Sequence, residues 1–210
     1  MVMIRRVFWK ADIYTGKNIR LLYDTSLYAK QHQIPGLLLM VYFEKAFGSV
    51  AWSFTEKRSL RKFKFGKDIT WWILTFYTNI NWCVHVNRQY SQWFDVKRGT
   101  RQGDPLSLYL FLICAELLAS MILQNENIHG INILDEEILL SQFAGDTTFF
   151  LDSTKESFCS CMCVLQQFAS MSGLNINVDN MCVCVCVCVC VRARARVCVC
   201  VCVCVCVCVC

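Results

Sequence analysis

Residues whose types could carry chemistry fall in four short segments. Val41-Tyr-Phe-Glu-Lys-Ala-Phe47-Gly-Ser-Val50 ends an apolar run, and Arg98-Gly-Thr-Arg-Gln-Gly-Asp-Pro-Leu-Ser107 leads into a longer one. Phe143-Ala-Gly-Asp146 interrupts two apolar-rich stretches, and Ser172-Gly-Leu-Asn-Ile-Asn177 follows a helical pattern. Carboxylates such as Asp146 and Glu44 offer the hard oxygen ligands that Mg²⁺ requires. Each residue also has a plain alternative. Asp146 suits a tight turn, Phe47 suits a core, and Arg101 and Gln102 suit a solvated loop. Cys159, Cys161 and Cys163 lie mid-helix. Positions 159 and 163 share a helix face and 161 does not, so they read as core or surface thiols rather than metal ligands. His32, His85 and His129 stand apart from any such cluster.

The elements that must position these residues follow from periodicity. Residues 17–31 carry a rough apolar stripe and read as a helix ended by Pro35-Gly36. Gly36 to Phe43 is nearly continuous apolar sequence, as in a central strand covered on both faces. Helical spacing returns from Ser49 to Phe65, and Gly66 stops it; Asp68 is the expected cap of the next helix. Short strands near Trp82–Val86 and Ser91–Val96 flank a turn at Asn87-Arg88, where Asn-Gly would be preferred. Asp104-Pro105 starts a helix running to about Asn125. Ile138 to Ala144 and Thr147 to Leu151 read as strands around Gly145-Asp146. Ser153-Thr-Lys-Glu156 is a capping box for a helix ended by Gly173, and Leu174 to Val178 is a last strand. Hairpins packed beneath helices give an α+β class with an antiparallel sheet.

In order and spacing, the four segments resemble the A, B, C and D motifs of reverse transcriptases, nearest to the LINE-type (non-LTR retrotransposon) branch. The resemblance runs from about Asn18 to Asn180. It implies a palm-like fold, an RNA template, a DNA primer, and Mg²⁺ as cofactor. In such enzymes a primer 3′-hydroxyl displaces pyrophosphate from a dNTP with the help of two metal ions. It also implies roles for single residues. Phe47 matches the aromatic beneath the sugar, and Gln102 and Gly103 match the loop that meets the incoming nucleotide. Arg98 and Arg101 would face phosphates. Asp146 would hold metal, together with the Phe43 backbone carbonyl.

The chain departs from the family pattern where the metal ligands belong. Tyr42 stands at the A-motif aspartate, and Gly145 stands at the first of the paired hairpin aspartates. Gly48 replaces a second A-motif aspartate, Leu108 replaces a proline after Ser107, and Asn180 falls at the D-motif lysine. Asp146 is the remnant carboxylate. A neutral tyrosine, with a pKa of about 10, is a poor Mg²⁺ ligand. The resulting expectation is a reverse transcriptase domain fragment without polymerase activity. Two alternatives stay open: an inactive nucleic-acid-binding module, and an active polymerase if Tyr42 and Gly145 are sequence errors.

Composition sets the frame. Of 210 residues, 56% are hydrophobic, which is too apolar for a disordered chain. Twelve of 17 cysteines fall in Cys182–Cys210, which contains only Val, Cys, Ala and Arg. Alternating G and T encodes Val-Cys, and alternating G and C encodes Arg-Ala, so this tail reads as translated simple-repeat DNA. The competing readings are soft-metal binding and a strand with Val and Cys on opposite faces. Without the tail, 18 basic residues face 16 acidic ones, a weak nucleic-acid footprint. The expected organisation is an N-terminal helical segment (1–35, residual fingers), a palm-like domain (36–181) and the repeat tail (182–210). Fingers and thumb are expected to be largely missing. No signal peptide or membrane span is expected, since Pro105–Leu123 reads as a buried helix with Glu116 inside it. The expected location is the nucleus or cytoplasm.

Overall fold

The computed structural model describes residues 4–9, 15–101, 103–143 and 145–187. Strand β1 (Ile4–Trp9) and helix α1 (Thr15–Gln31) come first, then strand β2 (Gly36–Tyr42). Two short helices, α2 (Ala46–Ser49) and α3 (Trp52–Phe54), run into a π-helical stretch at Thr55–Leu60, and α4 (Lys67–Tyr77) follows. Four two-residue strands come next: β3 (Asn81–Trp82), β4 (His85–Val86), β5 (Gln89–Tyr90) and β6 (Phe94–Asp95). The long helix α5 (Pro105–Leu123) precedes β7 (Ile131–Ile133), β8 (Glu136–Phe143) and β9 (Asp146–Leu151). Helix α6 (Lys155–Ser172), a 3₁₀ turn (Val178–Asn180) and β10 (Cys182–Val187) complete the described chain.

The main sheet has the order β1-β8-β9-β2-β10, with β7 also on β8. All its pairings are antiparallel except β1 with β8. β2 lies inside the sheet between β9 and the edge strand β10, and both its faces are apolar. Leu39 and Val41 join the large core formed with α5 and α6, while Leu38 packs with Phe150 toward Leu21 and Leu22 of α1. Among the described residues, α5 alone is long and apolar enough to cross a membrane. Nine of its side chains, including Leu110, Phe111 and Leu118, are buried within the protein. Its Cys114 meets Ser59 and Thr55 of the π-helical stretch, each at 3.5 Å.

Several expected boundaries move, each for a local reason. Gly66, not Asp68, occupies the cap of α4, and Asp68 sits in its first turn. Thr154, not Ser153, caps α6: Ser153 has φ +68°, so the chain turns before the helix starts. Leu174 to Val178 is no strand. Lys45 is left-handed (φ +44°) and turns the chain away just past β2, so only Phe43 bridges to Ile176. The N-terminal segment is helical at α1, but it also supplies β1. The first residues of the repeat tail form β10 against β2. The hairpin turn at Asn87-Arg88 has φ +49° and +64°, the doubly positive geometry a two-residue loop demands.

Candidate active site

β2 ends on Tyr42, which stands opposite Asp146, the first residue of β9. The Tyr42 carbonyl accepts from the Asn177 N–H (2.8 Å), on the far side from β9. Tyr42 and Asp146 are therefore a non-hydrogen-bonded pair, the type in which opposed side chains lie closest and share a face. The register thus brings one position from each strand together at the sheet end. The Phe43 carbonyl points toward the β8–β9 hairpin, because the bridge to Ile176 engages the Glu44 N–H and Tyr42 carbonyl instead. Asp146 is exposed at its tip, yet partial burial raises its carboxyl above the usual carboxylate range.

The segment from Tyr42 to Trp52 is the hub on which the other three segments close. At the hairpin tip, a Cβ on Gly145 would come to 3.0 Å from the Ala46 Cβ. Gly99 has φ +89°, and a Cβ there would stand 2.7 Å from the Gly48 carbonyl oxygen. Gly173 has φ +76°, and its Cβ would stand 2.9 Å from the Ser49 carbonyl oxygen. Close backbone approach explains glycine at positions 99 and 173. Hydrogen bonds complete the closure. The Gly99 N–H donates to the Val50 carbonyl (2.8 Å), Thr100 N–H to Phe47 (2.6 Å), and Ala51 N–H to Ser172 (2.8 Å). Trp52 Nε1 donates to the Gly99 carbonyl (2.7 Å).

The remaining expected site residues are placed as follows. Phe47 is partly buried, with its ring 4.5 Å from that of Phe111 on α5. Arg98 is exposed and bridges through its backbone to Ala51. Arg101 turns toward α4: its Nη2 donates to the Phe76 carbonyl (2.8 Å) and its guanidinium lies 5.9 Å from the Tyr77 ring. Gly103 is exposed with φ +86°, and Gln102 lies outside the described residues. Gly99, Thr100 and Trp52 escaped the sequence reading. The one signal for them was Gly-Thr inside the Arg98–Gly103 loop. Asp104 caps α5 as its sequence predicts, accepting from the Leu106 N–H (2.9 Å).

A profile of the reverse transcriptase (RNA-dependent DNA polymerase) family matches residues 6–188. The chain belongs to the reverse transcriptase family. Two solved structures from Candida tropicalis share its fold. One is telomerase in complex with a TWJ fragment of telomeric RNA (TM-score 0.59, 14% identity, covering 84% of this chain and 31% of that one). The other is apo telomerase truncated from its C-terminal domain (TM-score 0.57, 15% identity, 87% and 36%). The reverse transcriptase chain thus spans about a third of these neighbours. Its sheet end carries Tyr42, Asp146 and the Phe43 carbonyl, and the exposed carboxylate of Glu44 follows just past β2. Among the described residues no three His, Cys, Asp or Glu side chains converge to hold a metal. Mg²⁺ takes oxygen ligands in near-octahedral geometry, usually with carboxylates. This donor set does not fit a pair of such ions.

Proposed function

We propose that this chain is the palm region of a LINE-type reverse transcriptase that no longer polymerises. The direct pairing of Tyr42 with Asp146 carries the reading. Where the sheet register brings two ligand positions together, this chain offers a phenol and one carboxylate. The metal pair supplies several kcal/mol of transition-state stabilisation. Each 1.36 kcal/mol is about tenfold in rate, so its loss removes a few decades. The LINE assignment rests on the four segments quoted above, from Val41-Tyr-Phe-Glu-Lys to Ser-Gly-Leu-Asn-Ile-Asn177.

In this reading Phe47, Gln102, Gly103 and Arg98 keep their family positions without a reaction to serve. RNA template and DNA primer are the ancestral partners, and the setting is intracellular. The palm-like unit reaches beyond residues 36–181, since β1 and α1 of the 1–35 segment and β10 of the 182–210 tail pair with or pack on its sheet. Primer extension on a primed RNA template, with Mg²⁺ or Mn²⁺, tests the proposal. The expected result is no template-dependent product. Synthesis by the unaltered chain would overturn it. Re-reading the codons for Tyr42 and Gly145 separates a decayed element from a sequence error. A restoring Gly145→Asp must displace Ala46 by a few tenths of an ångström, since the Cβ contact is already 3.0 Å.

A further inference from the structure

Strand β10 lies at one end of the main sheet and, among the described residues, pairs with β2 alone. The direction of its backbone groups follows from β2. The Tyr42 carbonyl accepts from the Asn177 N–H, on the side of β2 away from β9. Backbone groups alternate sides along a strand, so those of Met40 and Leu38 also point away from β9, toward β10. Met40 stands opposite Cys182, and Leu38 opposite Cys184. Cys182 and Cys184 therefore turn their N–H and C=O groups to β2. Val183 and Val185, each one step along, turn theirs outward. Helices occupy the two faces of the sheet, α5 and α6 on one side and Leu21 and Leu22 of α1 on the other. The edge is a third direction, and no described strand continues it. Natural edges are blunted by charge, proline or a bulge. Residues 182–185 have neither charge nor proline, and their register against β2 stays regular until a shift between Val185 and Val187.

We propose that this edge is a self-association surface, on which a second copy of the chain lays its own β10 antiparallel. Val183 and Val185 then stand opposite the partner's Val185 and the partner's Val183, and each pair exchanges its N–H···O bonds. The twofold axis passes between Cys184 and the partner's Cys184. The sequence itself selects a second copy as the occupant. A twofold contact uses one surface twice and must be self-complementary. A strand meets that demand when it reads alike from both ends, as Cys182-Val-Cys-Val-Cys186 does. It also lacks any charge that would meet a like charge across the axis. The ordering cost is small, because β10 is already held on β2 with Val183 packed against the main core. Main-chain hydrogen bonds supply the affinity, as wherever an extended segment is added to a sheet edge. Two sheets become one. No residue of the candidate active site takes part, so the surface stands whether or not the chain polymerises.

The test is sedimentation velocity of the full chain over a dilution series, with a reductant present so that no disulfide forms. The expected result is a monomer that becomes a dimer as concentration rises. Val185→Pro removes an outward N–H and leaves the bonds of Cys182 and Cys184 to β2 in place. It is expected to stay monomeric where the parent is dimeric. Val201→Pro, in the second Val-Cys run, is expected to dimerise like the parent. Hydrogen exchange of the parent adds a readout free of any substitution. A peptide spanning residues 181–187 is expected to protect about two more amides at the high end of the series, those of Val183 and Val185. A monomer at every concentration overturns the proposal. So do assemblies larger than a dimer, a dimer that survives Val185→Pro, and a dimer lost in Val201→Pro. Protection of these amides at every concentration overturns it too, because a segment of the same chain would then hold the edge.

Discussion

At Asp146, register and burial act on the same carboxylate. β-pairing aims it at Tyr42, and partial burial raises its pKa. The folded chain therefore holds this proton to a higher pH than the unfolded chain does. By linkage, stability falls as pH rises from the ordinary carboxylate value through the raised one, and the ionised group remains a cost above it. Asp146→Asn is predicted to raise the thermal midpoint at pH 7 and to leave it unchanged in strong acid, where both states are protonated. A lower midpoint at pH 7 would mean that something cationic stabilises the carboxylate. Gly99 gives a second residue-scale prediction. Its φ of +89° and the 2.7 Å approach to the Gly48 carbonyl leave no room for a side chain. Gly99→Ala is predicted to cost about 2 kcal/mol or more, read from denaturant midpoints. Gly145 and the Asp104 cap were legible because turns and caps are local chemistry, whereas Asp146, expected in the turn, is the first residue of β9. The Thr154 cap was not legible, because it depends on the backbone angle of Ser153.

Among the elements, those with a strong internal pattern were legible and those defined by a partner were not. Gly36–Tyr42 reads as a central strand from its own sequence, and α5 from its apolar length and Asp-Pro start. β1 becomes a strand only through its parallel pairing with β8. Conversely, Leu174–Val178 has strand-like residues, but among the described residues its pairing is limited to one bridge, Phe43 with Ile176. β10 is the sharper case. The Val-Cys tract alternates with period 2, and that alternation is what a strand needs. Its Val183 packs against the main core. A chain cut after Met181 is therefore predicted to melt earlier than the parent, since it uncovers the edge of β2. A chain cut after Val187 keeps every described element and is predicted to melt above the chain cut after Met181. Equal melting of both truncations would show that β10 contributes nothing.

For the whole molecule, the fold and the chemistry separate. The sheet, the long helix and the hub at residues 42–52 form a reverse transcriptase fold, with Gly99 and Gly173 letting two loops close on one segment. The candidate site was legible in the sequence as a set of four segments. How they meet was not, because the Gly99–Gly48 and Gly173–Ser49 approaches are tertiary. What the register pairs across the sheet end is a phenol and one acid. Electron paramagnetic resonance of Mn²⁺ titrated into the purified chain tests this most directly. The prediction is a free-ion signal that grows in proportion to added Mn²⁺, the same in the parent and in Asp146→Asn. Uptake of two ions per chain, abolished by Asp146→Asn, would contradict it.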